Sequence, residues 1–133
     1  MGKLRHVAMS VTDPEASAEF YGAAFGMKRV GETDSELASG VYMSDGTVSL
    51  ALLKYKDDRW AGEQYGKDFV GVHHVGFWVD DLDVAEEKAT AAGAKYFAEL
   101  PIEKESLYYE KKYQDPDGII FDLTPNGWVG AER

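Results

Sequence analysis

The sequence predicts an α+β fold made of two copies of a βαβββ module. The main observation is an internal repeat, in which Leu4–Val11 matches Val72–Val79 at a shift of 68 residues (74 minus 6). Each copy alternates apolar with small or polar residues, which is the period of a β-strand. A capped helix and then several strand-like runs follow both copies. Neither half carries enough apolar side chains for a core of its own, so the halves are expected to fold together.

Length and composition support one compact domain. The 133 residues are 44% hydrophobic and 13% aromatic, which is enough to bury a core. We expect a single domain over residues 1–133. Its parts are a first module at about 3–54, a linker at about 55–70, a second module at about 71–125 and a C-terminal tail at 126–133.

The helix of each module has recognisable ends. In the first module Asp13 provides an N-cap before Pro14, a residue favoured at the first helical position. In the second module Asp80 and Asp81 precede Leu82, which begins an apolar pattern of helical spacing. Gly26 and Gly93 follow the two helices and favour C-terminal caps.

Three strand-like runs follow each helix, and an Asp-Gly turn precedes the last run of each set. In the first module the runs are Lys28–Val30, Gly40–Met43 and Thr47–Leu53, with the turn at Asp45–Gly46. In the second module they are Lys95–Phe97, Leu107–Tyr113 and Ile119–Thr124, with the turn at Asp117–Gly118.

Charge and composition narrow the classes of partner. The net charge of -10 disfavours nucleic acid and anionic membranes, which are bound through Lys and Arg. The absence of cysteine excludes disulfides, thiolate metal sites and a cysteine nucleophile. No apolar run has the length of a membrane span or resembles a signal peptide. We therefore expect a cytoplasmic protein whose partner is a small molecule, with neither nucleic acid nor membrane involved.

Strand alternation indicates where the metal-competent side chains point. In the first strand the apolar residues at 7, 9 and 11 are expected to pack under the helices, which turns His6 to the other face. The same reasoning places His74 and Asp122 on that face and sends His73 toward the helices. The neighbours expected beside them are small and leave room for a ligand: Ala8, Ser10 and Gly76.

Two imidazoles and one carboxylate are a frequent ligand set for Fe²⁺, Mn²⁺, Ni²⁺ or Zn²⁺. A single histidine on a strand is more often structural than ligating. Two histidines at equivalent positions of a repeat, joined by a carboxylate on the same face, favour a metal site instead. We predict that His6, His74 and Asp122 bind a divalent metal, whose identity the sequence leaves open.

These features resemble the vicinal oxygen chelate superfamily, which includes glyoxalase I, methylmalonyl-CoA epimerase, extradiol dioxygenases, fosfomycin-inactivating thiol transferases and bleomycin-binding proteins. The resemblance covers nearly the whole chain. Its segments are Leu4–Ala8, Phe20–Tyr21, Phe25–Met27, Val72–Phe77, Asp115–Gly118 and Asp122–Leu123. It implies a cup-shaped mixed sheet with helices on the outer face, around a divalent metal held by His6, His74 and Asp122.

The position of a fourth ligand departs from part of that superfamily. Alternation along Thr47–Leu52 places Ser49 and Ala51 on the cavity face, where glyoxalase I and the epimerase have Glu or Gln. The three-ligand set instead resembles the extradiol dioxygenases and the thiol transferases. We therefore expect a metal-dependent enzyme of one of those types. The alternatives are glyoxalase-type or lyase-type isomerisation and a bleomycin-resistance-like binding protein without catalysis.

Other residues receive weaker assignments. Tyr108 and Tyr113 are candidate catalytic tyrosines, and the carboxylates of Glu103 and Glu105 are further candidates for a base. The expected pocket is lined by Ser10, Ser49, Ala51 and Trp78. Two groups are expected to be structural or solvated, namely Trp60 and Trp128 as core or dimer contacts and Lys104, Lys111 and Lys112 as a solvated strand edge.

The resemblance also implies a homodimer, sometimes with exchange of modules between subunits. The linker is long enough for either arrangement. If modules exchange, His6 and His74 come from different chains.

Overall fold

The computed structural model describes residues 2–62 and 64–133. Its elements, in chain order, are β1 (Lys3–Ser10), α1 (Pro14–Phe25), β2 (Lys28–Asp34), β3 (Ala38–Ser44), β4 (Ser49–Tyr55), α2 (Asp58–Ala61), β5 (Gly71–Trp78), α3 (Leu82–Ala91), β6 (Lys95–Glu99), β7 (Lys111–Gln114) and β8 (Ile120–Thr124). The βαβββ order therefore occurs twice, with α2 inserted between the modules.

The helix ends form as local chemistry predicts. The Asp13 carboxylate accepts hydrogen bonds from the backbone amides of Glu15 (3.1 Å) and Ala16 (3.2 Å) at the start of α1. At the start of α3 the cap is Asp81, which accepts from the Val84 amide at 3.1 Å. Gly26 ends α1 in the left-handed region (φ 71°), which glycine adopts without steric cost.

The described strands form one mixed sheet in the order β2-β3-β4-β1-β5-β8-β7-β6. In each module the first strand runs parallel to the last, as β1 does with β4 and β5 with β8. The two modules join where β1 and β5 pair antiparallel. The predicted fold class, two βαβββ modules forming a cup-shaped mixed sheet with helices on its outer face, is confirmed.

The apolar core lies between the sheet and its two longer helices. Under α1, the buried residues Val41, Met43, Leu50 and Leu52 pack with Ala18, and Val7 and Met9 lie against them. Under α3, Val79, Tyr113 and Leu123 form the equivalent cluster. We call this side of the sheet the helix face and the opposite side, which carries His6, the cavity face.

Two elements differ from the sequence prediction. The linker contains the short helix α2, which begins after an Asp57 cap whose carboxylate accepts from the Trp60 amide at 3.1 Å. The predicted strand Leu107–Tyr113 is shorter, since β7 spans only Lys111–Gln114. The residues before it form turns, in which the Ser106 hydroxyl accepts from the Tyr108 amide at 3.1 Å. Among the described residues, none of the helices has the length and apolar character that crossing a lipid bilayer requires.

Candidate metal centre

Strand register aligns a row of side chains across the cavity face. His6 of β1 is paired with Ser49 on one side and Gly76 on the other. Gly76 is paired with Asp122 of β8, and Asp122 is paired with Lys112 of β7. Because directly paired residues point to the same face, these side chains meet at the centre of the sheet.

Three potential ligand groups converge in this row. The Asp122 Oδ2 atom lies 3.0 Å from His74 Nε2 and 3.7 Å from His6 Nε2. One ligand atom of each residue can be chosen so that all lie within 4.8 Å of one another. All three residues are buried, with exposures of 3% or less. The direct pairing of β1 with β5 brings the two histidines together.

The donor set fits a divalent metal. Burial lowers the pKa of His6 to about 3 and also lowers the pKa of His74, so both imidazoles are neutral and able to ligate at neutral pH. Asp122 Oδ2 is buried and has no hydrogen-bond donor of suitable geometry among the described residues. Two ligands about 2.1 Å from one metal and at right angles to each other lie about 3 Å apart, which matches the His74–Asp122 separation.

Lys112 lies beside this cluster, which corrects its assignment to a solvated strand edge. Its side chain is 10% exposed, and Nζ donates to Asp122 Oδ1 at 2.8 Å. Burial opposes the ammonium form, but the carboxylates of Asp122 and Glu110 outweigh it and raise the pKa of Lys112. Burial likewise disfavours the Asp122 carboxylate, yet its charged neighbours, the Lys112 ammonium among them, hold its pKa well below the usual range.

Glu110, which was not predicted from the sequence, adds a second carboxylate. Its Oε1 lies 3.5 Å from Lys112 Nζ, and its Oε2 lies 3.9 Å from His6 Nε2. Burial and the neighbouring Asp122 carboxylate raise the pKa of Glu110 to about 7. The indole Nε1 of Trp128 donates to Glu110 Oε2 at 2.5 Å and fixes its orientation.

Trp128 is buried, as a core contact is expected to be, and it also packs against the candidate ligand His6. Its ring stacks on His6 with centroids 4.7 Å apart and planes 7° from parallel. Gly76 makes this possible, because a Cβ atom there would lie 2.6 Å from Trp128 Cζ2. The room that small residues provide at Gly76 is therefore filled by an indole ring and is not left for a ligand.

A cavity of about 560 Å³ opens in front of the cluster. His6, His74, Glu110 and Lys112 form its polar end. Apolar and aromatic side chains make up most of its remaining wall, among them Leu37, Tyr42, Leu53, Trp60, Ile102 and Tyr108. Glu32, Thr33, Ser35 and Glu36 also line the cavity, so it suits a small, largely apolar ligand that carries polar groups.

The family model of the Glyoxalase/Bleomycin resistance protein/Dioxygenase superfamily matches residues 3–123 of the sequence. The chain belongs to this superfamily. No curated protein sequence matches the chain.

Several solved structures share the fold of this chain. A methylmalonyl-CoA epimerase variant of Streptomyces coelicolor, in complex with 2-nitronate-propionyl-CoA, is 20% identical with a TM-score of 0.73, covering 91% of this chain and 94% of that one. The Mycobacterium tuberculosis epimerase is 19% identical with a TM-score of 0.67, covering 90% and 85%. A hypothetical protein of Bacillus halodurans is 17% identical with a TM-score of 0.71, covering 92% of each chain.

Three residues that were predicted to lie near the metal form part of the cavity wall. Ser49 and Ala51 lie along β4 at its inner end. Tyr108 lies at its rim, is 44% exposed, and stacks on Tyr42 with centroids 5.8 Å apart. Of the three, Ser49 is paired directly with the candidate ligand His6, and the structure assigns no chemistry to any of them.

The other predicted site residues lie elsewhere. Tyr113 is on the helix face and its hydroxyl donates to Glu86 of α3, so it is removed from the site. Trp78 donates from Nε1 to the Pro125 carbonyl at 3.1 Å and is not among the described residues that line the cavity. Ser10 is buried and also absent from that lining. The candidate bases Glu103 and Glu105 are exposed on the loop before β7.

Proposed function

We propose that the protein is a divalent-metal-dependent enzyme that catalyses proton transfer on a small substrate presenting two neighbouring oxygen atoms. One observation supports this most strongly. His6 and His74 line the polar end of the cavity together with Glu110, and the third buried ligand residue, Asp122, lies beside the two histidines. Superfamily membership supports a metal at this position. Fe²⁺, Mn²⁺, Ni²⁺ and Zn²⁺ all suit these ligands.

A metal bound there would act as a Lewis acid on the substrate oxygens. Glu110 is the group suited to take a proton from the substrate and return it. Its carboxylate lines the cavity, and Oε2 is 3.9 Å from the ligating nitrogen of His6. A base must lie within hydrogen-bond reach of the proton it removes, and Glu110 meets that condition for a substrate held at the polar end. Tyr108, at the rim, is a weaker candidate for the same duty.

Lys112 and the apolar cavity wall are suited to the charged oxygen and to the hydrocarbon part of the substrate, respectively. The Lys112 ammonium faces the polar end and balances negative charge that develops on a substrate oxygen when a proton leaves. The apolar wall suits a hydrocarbon or aromatic remainder. Epimerisation removes and returns one proton, so the likeness to methylmalonyl-CoA epimerases agrees with this class of chemistry. Dioxygenase or thiol-transferase chemistry, which the sequence favoured, was inferred because β4 lacks a carboxylate or amide as a fourth ligand. Glu110 provides a carboxylate from another segment.

A second candidate function is small-molecule binding without catalysis. The observation in its favour is the ion pair of Lys112 and Asp122, because an ammonium 2.8 Å from the carboxylate already supplies positive charge at the site. In that case Lys112 takes the place of the metal as a permanent counter-ion. Metal content of the purified protein separates the two functions, since only the enzyme takes up one divalent ion per chain.

Replacing Glu110 with glutamine tests the catalytic proposal. We expect Glu110→Gln to retain metal binding and to lose about 100-fold to 10,000-fold in the rate of proton exchange, the usual contribution of a general base. The measurement follows deuterium exchange from D₂O into 2-hydroxyketones, 2-oxo acids and methylmalonyl-CoA with the metal-loaded protein. The control Glu103→Gln removes an exposed carboxylate of the loop before β7 and should exchange at the wild-type rate. Equal rates in Glu110→Gln and wild type would remove Glu110 from the mechanism.

A further inference from the structure

His73, which strand alternation directs toward the helices, lies instead beside the metal ligand His74. In the β1–β5 ladder Ala8 is paired with His74 and Met9 with Val72, so His73 has no partner and forms a β-bulge. A bulge interrupts the alternation of side chains. Both imidazoles are buried, and their Nδ1 atoms are 2.8 Å apart.

The other ring nitrogen of His73 is anchored to the end of α2. His73 Nε2 lies 2.5 Å from the carbonyl oxygen of Ala61. A carbonyl oxygen only accepts hydrogen bonds, so His73 Nε2 carries a proton and donates it. This contact fixes the tautomer of a neutral His73 and leaves its Nδ1 unprotonated.

The surroundings of His73 favour the neutral ring. Its ring lies against Tyr55, Tyr65 and Phe69, with centroids 4.8, 5.3 and 6.4 Å away. Within residues 2–62 and 64–133, no carboxylate forms an ion pair with it. A buried imidazolium without a carboxylate partner carries a large desolvation cost.

The proton between the two Nδ1 atoms must then belong to His74. Two unprotonated nitrogens facing each other at 2.8 Å would repel, so His74 Nδ1 donates to His73 Nδ1. The phenol of Tyr55 lies farther from His73 Nδ1, at 3.4 Å. His74 with its proton on Nδ1 presents an unprotonated Nε2 toward Asp122 Oδ2, 3.0 Å away. The lone pair of His74 Nε2 and the negatively charged Asp122 Oδ2 then face each other, and a cation bound to both would relieve their repulsion.

We propose that His73 is a positioning residue that, anchored by the Ala61 carbonyl, holds His74 in the Nδ1–H tautomer and so directs its Nε2 lone pair to the metal. The inference rests on the proposed metal function. It extends that function to a chain of hydrogen bonds that runs from α2 of the linker to the metal site. Outer partners of this kind typically change metal affinity by about 10–100-fold when they are removed.

The first test reads the tautomers directly in the metal-free wild type. Long-range ¹H–¹⁵N NMR of protein labelled in histidine distinguishes a protonated from an unprotonated ring nitrogen. We expect His74 protonated at Nδ1 only and His73 protonated at Nε2 only. The result that overturns the proposal is His74 protonated at Nε2, with His73 carrying protons on both nitrogens and the direction of donation reversed.

The second test measures Zn²⁺ and Co²⁺ affinity of His73 variants. His73→Phe keeps a ring but removes the acceptor, and we expect a loss of about 10–100-fold. His73→Gln offers a carbonyl to His74 Nδ1 and an amide N–H to Ala61, and should recover most of that affinity. Tyr65→Phe is the matched control, because it alters a ring beside His73 outside the hydrogen-bond chain, and should bind metal as wild type does.

The two tests separate this proposal from the proposed function. If wild-type protein binds no divalent metal, the metal function fails while the tautomers remain measurable. If wild type binds metal, and both His73→Phe and His73→Gln bind it with wild-type affinity, the positioning role alone fails. The NMR measurement uses wild-type protein, so it decides the tautomer even if a His73 variant does not fold.

Discussion

Replacing Lys112 with methionine is expected to lower the free energy of unfolding of the metal-free protein by about 3–5 kcal/mol. The Lys112 ammonium lies 2.8 Å from Asp122 Oδ1 and 3.5 Å from Glu110 Oε1; Lys112 and Asp122 are buried, and Glu110 is partly buried. Methionine has a similar length and preserves packing, but it leaves Asp122 charged and without its cation. Breaking one partner out of a buried ion pair is costly because the remaining charge stays desolvated.

A divalent metal should offset much of this loss. In Lys112→Met the metal becomes the sole cation beside Asp122, so Zn²⁺ or Mn²⁺ should raise the free energy of unfolding more than it does in wild type. Urea denaturation with and without metal measures both effects. The control Lys104→Met changes an exposed lysine and should shift stability by less than about 0.5 kcal/mol. A loss below about 1 kcal/mol in Lys112→Met, or equal metal stabilisation of both proteins, would contradict the assigned role of Lys112.

Replacing His74 with alanine is expected to weaken divalent-metal affinity by at least about 100-fold. Removing a residue that only hydrogen-bonds to a metal ligand already lowers metal affinity by about 10–100-fold, and His74 Nε2 would contact the metal itself. Isothermal titration with Zn²⁺ or Mn²⁺ provides the measurement, and circular dichroism checks that the variant is folded.

Ser49→Ala is the matched control for the ligand set. Ser49 is paired with His6 at the β4 position where a fourth ligand would lie. A three-ligand site predicts that Ser49→Ala binds metal as wild type does. Wild-type affinity in His74→Ala would show that His74 is no ligand, and a large loss in Ser49→Ala would show that the ligand set is wrong.

Much of the fold was readable from local sequence signals. Asp13, Asp81 and Gly26 form the caps that their residue types predict, because these interactions involve only a few neighbouring residues. Alternation also indicated that His6, His74 and Asp122 lie on one face, and the three side chains do converge there, although register shifts adjoin both histidines.

Lys112 was misassigned and Glu110 was missed, although the sequence contains a signal for both. The Asp117–Gly118 turn closes a hairpin in which Lys112 is paired with Asp122 and Tyr113 with Phe121. Applying that register would have placed Lys112 on the cavity face, along with Glu110 two residues earlier. It would also have sent Tyr113 to the helix face with Phe121, where the structure has it.

Trp128 and His73 depend on tertiary structure and have no comparable local signal. Trp128 lies after the last strand, and its position depends on the space above Gly76 and on a hydrogen bond to Glu110. His73 is turned toward His74 by a register shift between two strands distant in sequence. A bulge of this kind changes the face of the sheet to which one side chain points, and the alternation of apolar and polar residues in the sequence does not reveal it.

The most direct test of the central claim is anomalous scattering from crystals grown with Mn²⁺, Ni²⁺ or Zn²⁺, recorded on both sides of the metal absorption edge. We expect one strong anomalous peak within bonding distance of His6 Nε2, His74 Nε2 and Asp122 Oδ2. Density without an anomalous peak at this position, with the Lys112 ammonium still bound to Asp122, would contradict it.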